Sequence, residues 1–317
     1  MVTAARGPAH LVLTASVARR YYLDGRSKVE IAEEFALSRF KVARLLDDAR
    51  ASGLVRIEIG HPGTIDVELS SRLMSCLGLT HCVVADTPED DPASLREHLG
   101  AAAAELLTEV VTPDDVLGLS WARSVSAMAT ALRSLATVPV IQLTGALARP
   151  GVDDSSIELV REVARVSGGP AYFFYAPMAV PDAATARALR GQPEVARAFS
   201  KIGSVTIALA GVGAWAPEQS TLYDATPEPE RSEVARQGVC AEISGVLVDC
   251  DGAPVRSALT DRMIGITAAQ MRAVREVIAI VYGLAKVDAV LAAVRGGMVN
   301  SLVTHSALAT ALIEAAG

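Results

Sequence analysis

The sequence lacks the features that would place the protein in a membrane or outside the cell. No uninterrupted run of about 18 apolar residues occurs, so we predict no membrane span. Arg6, Pro8 and His10 interrupt any apolar stretch near the N-terminus, so a signal-peptide pattern is missing. Apolar residues make up 51% and charged residues 21% of the chain, which is typical of a soluble globular protein and excludes a disordered one. We therefore expect a cytoplasmic protein.

Cysteine and histidine are scarce and are not grouped. The four cysteines, Cys76, Cys82, Cys240 and Cys250, include no CxxC pair. This pattern favours reduced thiols in a cytosolic protein over a disulfide framework or a zinc site. The five histidines stand singly, without the HExxH spacing of a zinc enzyme. We expect neither a metal site nor a cofactor.

Charge is distributed unevenly along the chain. The net charge of −7 would argue against nucleic-acid binding if it were uniform. Residues 1–60, however, carry ten Lys or Arg against seven Asp or Glu, a balance of +3, whereas the remainder carries 19 against 29, a balance of −10. A modestly basic end on an acidic body is consistent with a DNA-binding segment joined to a different kind of domain.

The N-terminal residues predict three helices separated by short turns. The first covers roughly residues 14–23, the second begins at Ser27 and the third covers 39–52. Ser27 and Glu30 have the spacing of a capping box, in which each side chain bonds the backbone N–H of the other residue. Ser38 ends the turn before the third helix and is placed to cap it. Residues 54–59 alternate apolar and polar, which predicts a strand, the wing of a winged helix-turn-helix.

The third helix has one face for a core and another for DNA. Its buried face follows the i, i+3, i+4, i+7 rule with Val42, Leu45, Leu46 and Ala49. On the other side Lys41 and Arg44 can reach guanine edges or phosphates, and Phe40 can touch a thymine methyl group. The alternative is a small helical bundle with solvated charges, but the order of capping box, short turn, basic helix and strand favours DNA binding. The predicted DNA-binding residues are Ser27, Ser38, Arg39, Phe40, Lys41 and Arg44.

Beyond the break at His61-Pro62-Gly63, strand-like runs alternate with helical runs. We therefore predict a DNA-binding domain over residues 1–61 and a second domain over 62–317. Alternation of this kind predicts βαβ units and a mostly parallel, Rossmann-like α/β sheet, in which ligands bind at the carboxyl ends of strands. The predicted strands are 82–85, 116–119, 138–143, 171–175, 205–210, 246–248, 277–281 and 302–304, and the predicted helices include 125–135, 156–166, 284–294 and 307–315.

The strongest candidate for a ligand site is the stretch GLSWARS at 118–124. It leaves a predicted strand and enters a predicted helix, so Ser120, Ser124 and the free backbone N–H groups face the expected pocket. A helix start favours an anion, and Arg123 adds positive charge. The alternative is an ordinary strand–helix corner with Arg123 on the surface.

Other polar or small residues of this domain are weaker candidates. Gln142 lies within an apolar strand and needs a hydrogen-bond partner, either in the core or on a ligand. Gly211 and Gly213 allow close approach of a backbone, to a ligand or to another part of the protein. Each of the remaining candidates is more often a loop or surface residue than a ligand contact: Asp249, Asp251, Asp261, Arg262 and Lys286.

Seven stretches taken together resemble the SorC family of bacterial sugar-binding transcriptional regulators. The resemblance runs from about residue 14 to 313, and its strength comes from the common order of motifs that are individually weak. The seven stretches are SKVEIAEEFALSRFKVARLLDDA at 27–49, GLSWARS at 118–124, VIQLTGAL at 140–147, GVGA at 211–214, DCDGAPV at 249–255, DRMIGIT at 261–267 and RGGMVNSLVTH at 295–305.

The resemblance implies a winged helix-turn-helix followed by a larger α/β domain related to ribose-5-phosphate isomerase and glucosamine-6-phosphate deaminase. It implies a sugar, polyol or sugar phosphate as effector, double-stranded operator DNA as partner, and a homodimer or homotetramer. By the same resemblance, the GLSWARS corner and Lys286 hold the effector phosphate, and Gln142, Thr144 and Gly145 line the sugar side. The residues expected at the effector are Gly118, Ser120, Trp121, Ala122, Arg123, Ser124, Gln142, Thr144, Gly145, Gly211, Gly213, Asp249, Asp261 and Lys286.

Four positions depart from the pattern of the family. Ala36 stands where the turn usually has glycine, Ala122 where glycine is frequent and Ser124 where threonine is frequent. His305 stands where aspartate is usual.

The sequence therefore predicts a regulator of carbohydrate-metabolism genes rather than an enzyme. A sugar-phosphate isomerase or deaminase on the same kind of sheet is the main alternative, because fold alone does not decide function. Such chemistry needs a carboxylate or histidine placed to move a proton, and we expect no catalytic set around Asp249 and Asp251. A second alternative is a DNA-binding protein whose larger domain only oligomerises.

Overall fold

The computed structural model describes residues 7–55, 65–87, 91–147 and 156–317. The chain divides into two compact units, Met1–Gly60 and His61–Gly317. Each unit has its own hydrophobic core. Among the described residues, none of the helices combines the length and apolar character needed to cross a membrane.

The described part of the N-terminal unit consists of the helices α1 (Pro8–Tyr22), α2 (Lys28–Glu34) and α3 (Arg39–Ala51). The first begins at Pro8 rather than near residue 14, because proline is well suited to the first turn of a helix. Residues 56–59 of the predicted wing strand lie outside the described residues. The core between the three helices is formed by Val17, Ala18, Ile31, Ala32, Val42, Leu45, Leu46 and Ala49.

The caps of α2 and α3 form as the sequence predicts. The Ser27 backbone N–H donates to Glu30 Oε2 at 2.8 Å, and the Glu30 N–H donates to Ser27 Oγ at 3.3 Å. The Lys41 N–H donates to Ser38 Oγ at 3.2 Å. These bonds satisfy N–H groups that have no partner within the helix and so fix where each helix begins.

The turn between α2 and α3 contains a residue in the left-handed region. Ala36 has φ of +53°, a conformation that costs about 1–2 kcal/mol for a residue with a Cβ atom. The Leu37 N–H donates to Ala32 O at 2.8 Å and closes the turn. The chain thus accepts strain at Ala36 to keep the start of α3 beside the end of α2, as a helix-turn-helix requires.

The C-terminal unit is an α/β unit built on a parallel sheet. In its described part seven strands pair in parallel: β1 (His81–Ala85), β2 (Leu117–Leu119), β3 (Val140–Gln142), β4 (Ala171–Tyr172), β5 (Ile207–Ala210), β9 (Glu276–Ile280) and β10 (Ser301–His305). A smaller antiparallel sheet of β6 (Gly213–Ala214), β7 (Val239–Ile243) and β8 (Val246–Asp249) is inserted between β5 and β9. The sequence predicted the strand at 246–248 but not its hairpin partner β7.

Helices cover both faces of the parallel sheet. Val277 and Ala279 of β9 belong to one core cluster, whereas Ile278 and Ile280 belong to the other, as the alternation of side chains along a strand requires. The helices of this unit are α4 (Val67–Leu77), α5 (Pro92–Val110), α6 (Arg123–Ala131), α7 (Ser156–Ser167), α8 (Ala183–Arg190), α9 (Pro193–Ile202), α10 (Thr221–Ala225), α11 (Glu230–Arg236), α12 (Ala258–Asp261), α13 (Ala268–Ala273), α14 (Val287–Arg295) and α15 (Ser306–Ala316).

The order of the strands, β1-β10-β9-β5-β2-β3-β4, reverses direction between β5 and β2. From β2 the chain continues to β3 and β4 on one side, and from β5 it continues to β9 and β10 on the other. The loops that follow β2 and β5 therefore diverge and leave a crevice at the carboxyl ends of the two strands. Open α/β sheets bind their ligands at such a switch point.

We expect Gly252→Ala to destabilise the C-terminal unit. Gly252 has φ of +84°, and a Cβ atom there would lie 2.3 Å from the backbone nitrogen of Gly296. Combined backbone strain and overlap should lower the free energy of unfolding by about 2–4 kcal/mol. Urea denaturation followed by tryptophan fluorescence measures this unit, since both tryptophans, Trp121 and Trp215, lie in it.

Gly203→Ala is the matched control. Gly203 follows α9 with φ of −66°, and a Cβ atom there would meet nothing within 4 Å. We expect a change of less than about 0.5 kcal/mol. An equally small change for Gly252→Ala would contradict the close contact between the β8 loop and the end of α14.

Candidate functional site

A cavity of about 530 Å³ lies in the crevice beyond β2 and β5, and we refer to it as the switch-point cavity. The loops after β2 and β5 form two of its walls, and the turn before α14 forms another. Pro92 and Arg96, from the first two turns of α5, also line it. Nine of the residues expected at the effector line it: Ser120, Trp121, Ala122, Arg123, Ser124, Thr144, Gly211, Gly213 and Lys286.

The corner between β2 and α6 presents the start of a helix to this cavity. The residue before the helix is Ala122, which has no side chain able to cap it. The first N–H groups of α6 are therefore available to an anion, and the helix dipole favours one. Gly211 lies against this corner, since a Cβ atom on it would come within 2.9 Å of Ala122 Cβ.

Hydrogen bonds fix the two serines of the corner. Ser124 Oγ donates a hydrogen bond to Ile280 O at 2.9 Å, and Ser120 Oγ accepts one from Ser244 Oγ at 2.6 Å. Both Ser120 and Ser124 are buried. Their oxygen atoms are thus held in fixed positions beside the start of α6.

Lys286 brings a second cation to the same cavity as Arg123. Its Nζ atom lies 5.2 Å from the centre of the Tyr282 ring. Burial, followed by the nearby charge of Arg123, lowers the pKa of Lys286 to about 8, and the carboxylate of Glu242 opposes this shift. The Gly283 N–H donates to Nε2 of buried His305 at 3.3 Å, so the residue that departs from the family pattern orders the turn before Lys286.

Glu242 of β7 is a cavity residue that the sequence analysis missed. Its Oε1 accepts from the Gly245 N–H at 2.6 Å and its Oε2 accepts from Ser220 Oγ at 3.2 Å. Burial raises the pKa of Glu242 above its ordinary value, although these hydrogen bonds and Lys286 act in the opposite direction. A carboxylate flanked by Ala241 and Ile243 in a run of mostly apolar residues was the available signal.

Three residues expected at the effector do not line the switch-point cavity but make hydrogen bonds or close contacts within the protein. Gln142 is fully buried; its Nε2 donates to Thr144 O and Ser156 Oγ, and its Oε1 accepts from the Phe174 N–H. Its hydrogen bonds are thus made within the protein. A Cβ atom on Gly118 would lie 2.8 Å from Val205, and one on Gly145 would lie 2.5 Å from Pro177 O. These two glycines are therefore places where segments of the protein touch.

Asp249 and Asp261 also lie away from the switch-point cavity. Asp249 Oδ1 accepts from the N–H groups of Asp251 and Ala253 and shapes the turn after β8. Asp261 pairs with Arg256 at 3.2 Å and lines a different cavity. We therefore omit both carboxylates from the candidate effector site.

The residues predicted to bind DNA are all exposed on the N-terminal unit. Phe40 is 88% exposed, which is unusual for a large apolar side chain and typical of a contact site. Around it the first turns of α3 expose three cations, Arg39, Lys41 and Arg44. Asp47, one turn further on, is paired with Arg50 at 2.5 Å. The uncompensated positive charge is thus at the start of the helix.

Among the described residues, no three side chains of His, Cys, Asp or Glu gather as metal ligands would. The switch-point cavity offers electrostatic and hydrogen-bonding groups. Its lining includes the cations of Arg96, Arg123 and Lys286, the uncapped N–H groups of α6, and the carboxylates of Glu218, Asp224 and Glu242.

Comparison with known proteins places this geometry in context. Residues 61–314 match the family model Sugar-bind, described as "Putative sugar-binding domain". The chain is 29% identical over 304 residues to the uncharacterized transcriptional regulator YjhU of Escherichia coli (strain K12), with 92% of each chain covered. It is 26% identical to the deoxyribonucleoside regulator of Bacillus subtilis, covering 95% of this chain and 97% of that protein. The full-length sorbitol operon regulator SorC from Klebsiella pneumoniae has the same fold, with a TM-score of 0.74, 22% identity and coverage of 96% and 99%.

Replacing Lys286 should make the protein more stable at neutral pH. Because its pKa in the folded state, about 8, lies below the ordinary value of 10.5, the charged form disfavours folding. This loss of free energy of unfolding is greatest below about pH 8 and disappears as the pH rises towards 10.5. We expect Lys286→Met to raise the free energy of unfolding at pH 7 by about 1–3 kcal/mol and to reduce its increase between pH 8 and 10.

Urea denaturation of wild type and variant at several pH values measures this difference, and other titrating groups cancel in it. Lys201→Met is a suitable control, since Lys201 also lies over a tyrosine ring, that of Tyr172, at 5.5 Å, but is exposed. If Lys286→Met raised the free energy of unfolding no more than Lys201→Met, the result would contradict the lowered pKa of Lys286 and its cause, burial.

Proposed function

The chain belongs to the Sugar-bind family and, within it, to the SorC-type regulators; on this premise we propose that it is a transcription regulator whose binding to operator DNA is controlled by a sugar or phosphorylated sugar. The observation that carries the proposal is the switch-point cavity, which is lined by cationic side chains, the uncapped start of α6 and the carboxylate of Glu242. The names of the relatives, transcriptional regulator and deoxyribonucleoside regulator, agree with this assignment.

The cationic groups of the switch-point cavity suit a phosphate group. Arg123 and Lys286 supply charge, and the start of α6 supplies N–H donors that no side chain caps. Lys286 is mostly protonated at neutral pH even with a pKa of about 8. A bound dianion would hold it protonated and so relieve part of the cost of burying its charge.

The carboxylate of Glu242 suits the hydroxyl groups of a sugar. Glu242 is acceptor-only when ionised, and its two hydrogen bonds to the protein fix its orientation. Trp121 contributes an apolar ring to the lining, on which the C–H face of a sugar can pack. Glu242 thus takes the role that the family resemblance suggested for Gln142.

The N-terminal unit is the proposed reader of DNA. The start of α3 would enter the major groove, with Arg44 and Lys41 at base edges or phosphates and Phe40 against a thymine methyl. Ser27, Ser38 and Arg39 would contact the backbone near the starts of α2 and α3. We propose a homodimer or homotetramer, which would place two such helices on half-sites spaced by whole helical turns.

The effector would act by linkage. A sugar that binds one arrangement of the oligomer better than another changes the affinity for DNA, and DNA changes the affinity for the sugar by the same factor. Couplings of this kind are typically about 1–3 kcal/mol, or roughly 5–150-fold in affinity.

One observation favours an enzyme as the second candidate. Glu242, with its raised pKa, and Lys286, with its lowered pKa, share one cavity, as the acid and base of an isomerase would. However, both oxygens of Glu242 are already bonded to Gly245 and Ser220. The helix-turn-helix would also have no role in such a reaction, so we place the regulator first.

The DNA-binding role predicts a specific effect of Arg44→Ala. In a fluorescence-anisotropy titration with DNA from upstream of its own operon, the variant should bind about 10-fold more weakly or worse and discriminate less between bases at one position. Arg50→Ala is the control, because Arg50 lies on the same helix but is paired with Asp47. Equal affinities for the Arg44→Ala variant and wild type would contradict the assignment of α3 as the recognition helix.

The effector role predicts that a sugar phosphate protects the protein against heat through Arg123. In a screen of pentose and hexose phosphates and their unphosphorylated parents, the active compound should raise the Tm of wild type and much less that of Ser120→Ala/Arg123→Ala. Arg133→Ala, an exposed arginine beyond the end of α6, should behave as wild type.

Two results of this screen would count against the proposal. Equal protection of wild type and the double variant would place the effector elsewhere. Exchange of deuterium into the recovered sugar phosphate after incubation in D₂O would instead favour the isomerase.

A further inference from the structure

A second cavity, of about 470 Å³, lies against the turn of the β7–β8 hairpin, and we refer to it as the hairpin cavity. The hairpin turn forms one wall, α8 forms another, and the segment from the end of α12 to the start of α13 forms a third. The family resemblance placed one of its lining residues, Asp261, at the effector, but the proposed function does not use this cavity. Its lining differs in character from that of the switch-point cavity.

Positive charge dominates the lining of the hairpin cavity. Arg187, Arg190 and Arg256 face a single carboxylate, Asp261, among the described residues that line it. Arg256 is paired with Asp261 at 3.2 Å. The charges of Arg187 and Arg190 therefore remain without a carboxylate partner inside the cavity.

Arg190 carries a hydrogen-bond donor that the protein does not use. One end of its guanidinium donates to Met263 O at 2.5 Å, which fixes the side chain. Its Nε atom is buried and has no hydrogen-bond partner within the described structure. A buried donor without a partner is uncommon because it gives up a hydrogen bond to water, so the protein uses the bonding capacity of this guanidinium only in part.

The rest of the lining is largely apolar. Five apolar side chains contribute to it: Val246, Leu247, Val255, Met263 and Ile266. Cations beside an apolar wall fit a small molecule with an oxyanion at one end and a short hydrocarbon body.

The hairpin turn is shared by the two cavities. Ser244 lines both of them, and its Oγ is bonded to Ser120 Oγ at 2.6 Å on the side of the switch-point cavity. The next residue, Gly245, lines the hairpin cavity, and its N–H donates to Glu242 Oε1 at 2.6 Å. Ser244 has φ of +54° although it is not a glycine, so this turn is held in a conformation that its own residue disfavours.

We propose that the hairpin cavity binds a small organic oxyanion, a carboxylate or phosphate on a short apolar body, and that the turn of Ser244 and Gly245 couples it to the switch-point cavity. A ligand that shifts this turn changes the position of the groups bonded to Ser120 and Glu242. By reciprocity, a ligand in the switch-point cavity changes the affinity of the hairpin cavity by the same factor. The coupling rests on the proposed function, whereas binding in the hairpin cavity does not.

Binding is tested by isothermal titration calorimetry of the full chain with butyrate and with butyl phosphate, the two forms of the proposed anion. The titrations use an Arg123→Ala/Lys286→Met background, so that phosphate bound at the switch-point cavity does not contribute. We expect one site per chain for at least one probe. The probe that binds more tightly shows whether the site prefers a carboxylate or a phosphate.

Three single variants locate that site. Arg187→Ala should weaken binding at least 10-fold. Because the Arg187 side chain is exposed, we expect the variant to fold as the background does. Arg190→Lys keeps the charge but removes the planar guanidinium, and it should also weaken binding because a bidentate contact to an oxyanion is lost. Arg197→Ala, on neighbouring α9 and outside the lining, should bind as the background does. The absence of binding by both probes, or equal binding by Arg187→Ala and Arg197→Ala, would overturn the site.

Coupling is tested with Trp121 as the reporter. Trp215→Phe leaves Trp121, which lines the switch-point cavity, as the single tryptophan. Inorganic phosphate is titrated by fluorescence with and without the preferred probe, and the midpoint should shift at least 3-fold. The shift should be lost in Ser244→Gly, which removes the bond to Ser120, while direct binding of the probe remains.

The outcomes separate this proposal from the function proposed above. Probe binding without a shift of the phosphate midpoint overturns the coupling alone. No response of Trp121 to phosphate, with the probe still bound at the hairpin cavity, counts against the proposed anion subsite of the effector. Dissociation of an oligomer by Arg187→Ala in sedimentation, without probe binding, would show that a second copy of the chain occupies the cavity and would overturn the proposal.

Discussion

The parallel pairing of β2 with β5 is the constraint on which the C-terminal unit depends. Leu117 and Gly118 of β2 lie opposite Ile207 and Ala208 of β5 in the middle of the sheet. Because the chain leaves the two strands in opposite directions, their loops cannot fill the space between them. Gly211 lets these loops touch at Ala122 without closing the crevice. The switch-point cavity is thus a product of topology, and side chains only decide what it binds.

The side chains that determine what the switch-point cavity binds lower the stability of the fold. The pKa of Lys286 is lowered and that of Glu242 is raised, because burial disfavours the charged form of each. Natural proteins keep such groups mainly where they act on a ligand. Two hydrogen bonds offset part of this loss of stability. The Gly245 N–H fixes the Glu242 carboxylate, and the bond from the Gly283 N–H to His305 fixes the turn that carries Lys286. Stability and recognition therefore oppose each other in the same few residues.

The sequence was most informative where one local signal determines one local structure. Ser27, Glu30 and Ser38 marked the starts of α2 and α3 correctly because capping is a short-range interaction. The parallel α/β architecture followed from alternating patterns, and seven of the predicted strands correspond to strands of the parallel sheet. The GLSWARS corner was found because a strand that runs directly into a helix must expose the start of that helix. These residues, with Gly211, Gly213 and Lys286, line one cavity.

The sequence was least informative where distant segments meet. Gln142 seemed a ligand residue because its partners Ser156 and Phe174 are remote in the chain and cannot be anticipated from its neighbours. Glu242 was missed because β7 pairs only within the small antiparallel sheet and carries a weak pattern of its own. The alanine-rich helix α5 was not among the helices named from the sequence, since apolar residues on several of its faces obscure the period of 3.6.

The position of α5 has a consequence for how the switch-point cavity responds to a ligand. Its second turn carries Arg96, which lines the cavity, while Leu99, Ala103 and Leu107 anchor the same helix in the core. An element anchored along its length yields only when that packing is lost. We therefore expect the backbone of this wall to keep its position when the cavity is filled, so that a ligand must fit the wall as it stands.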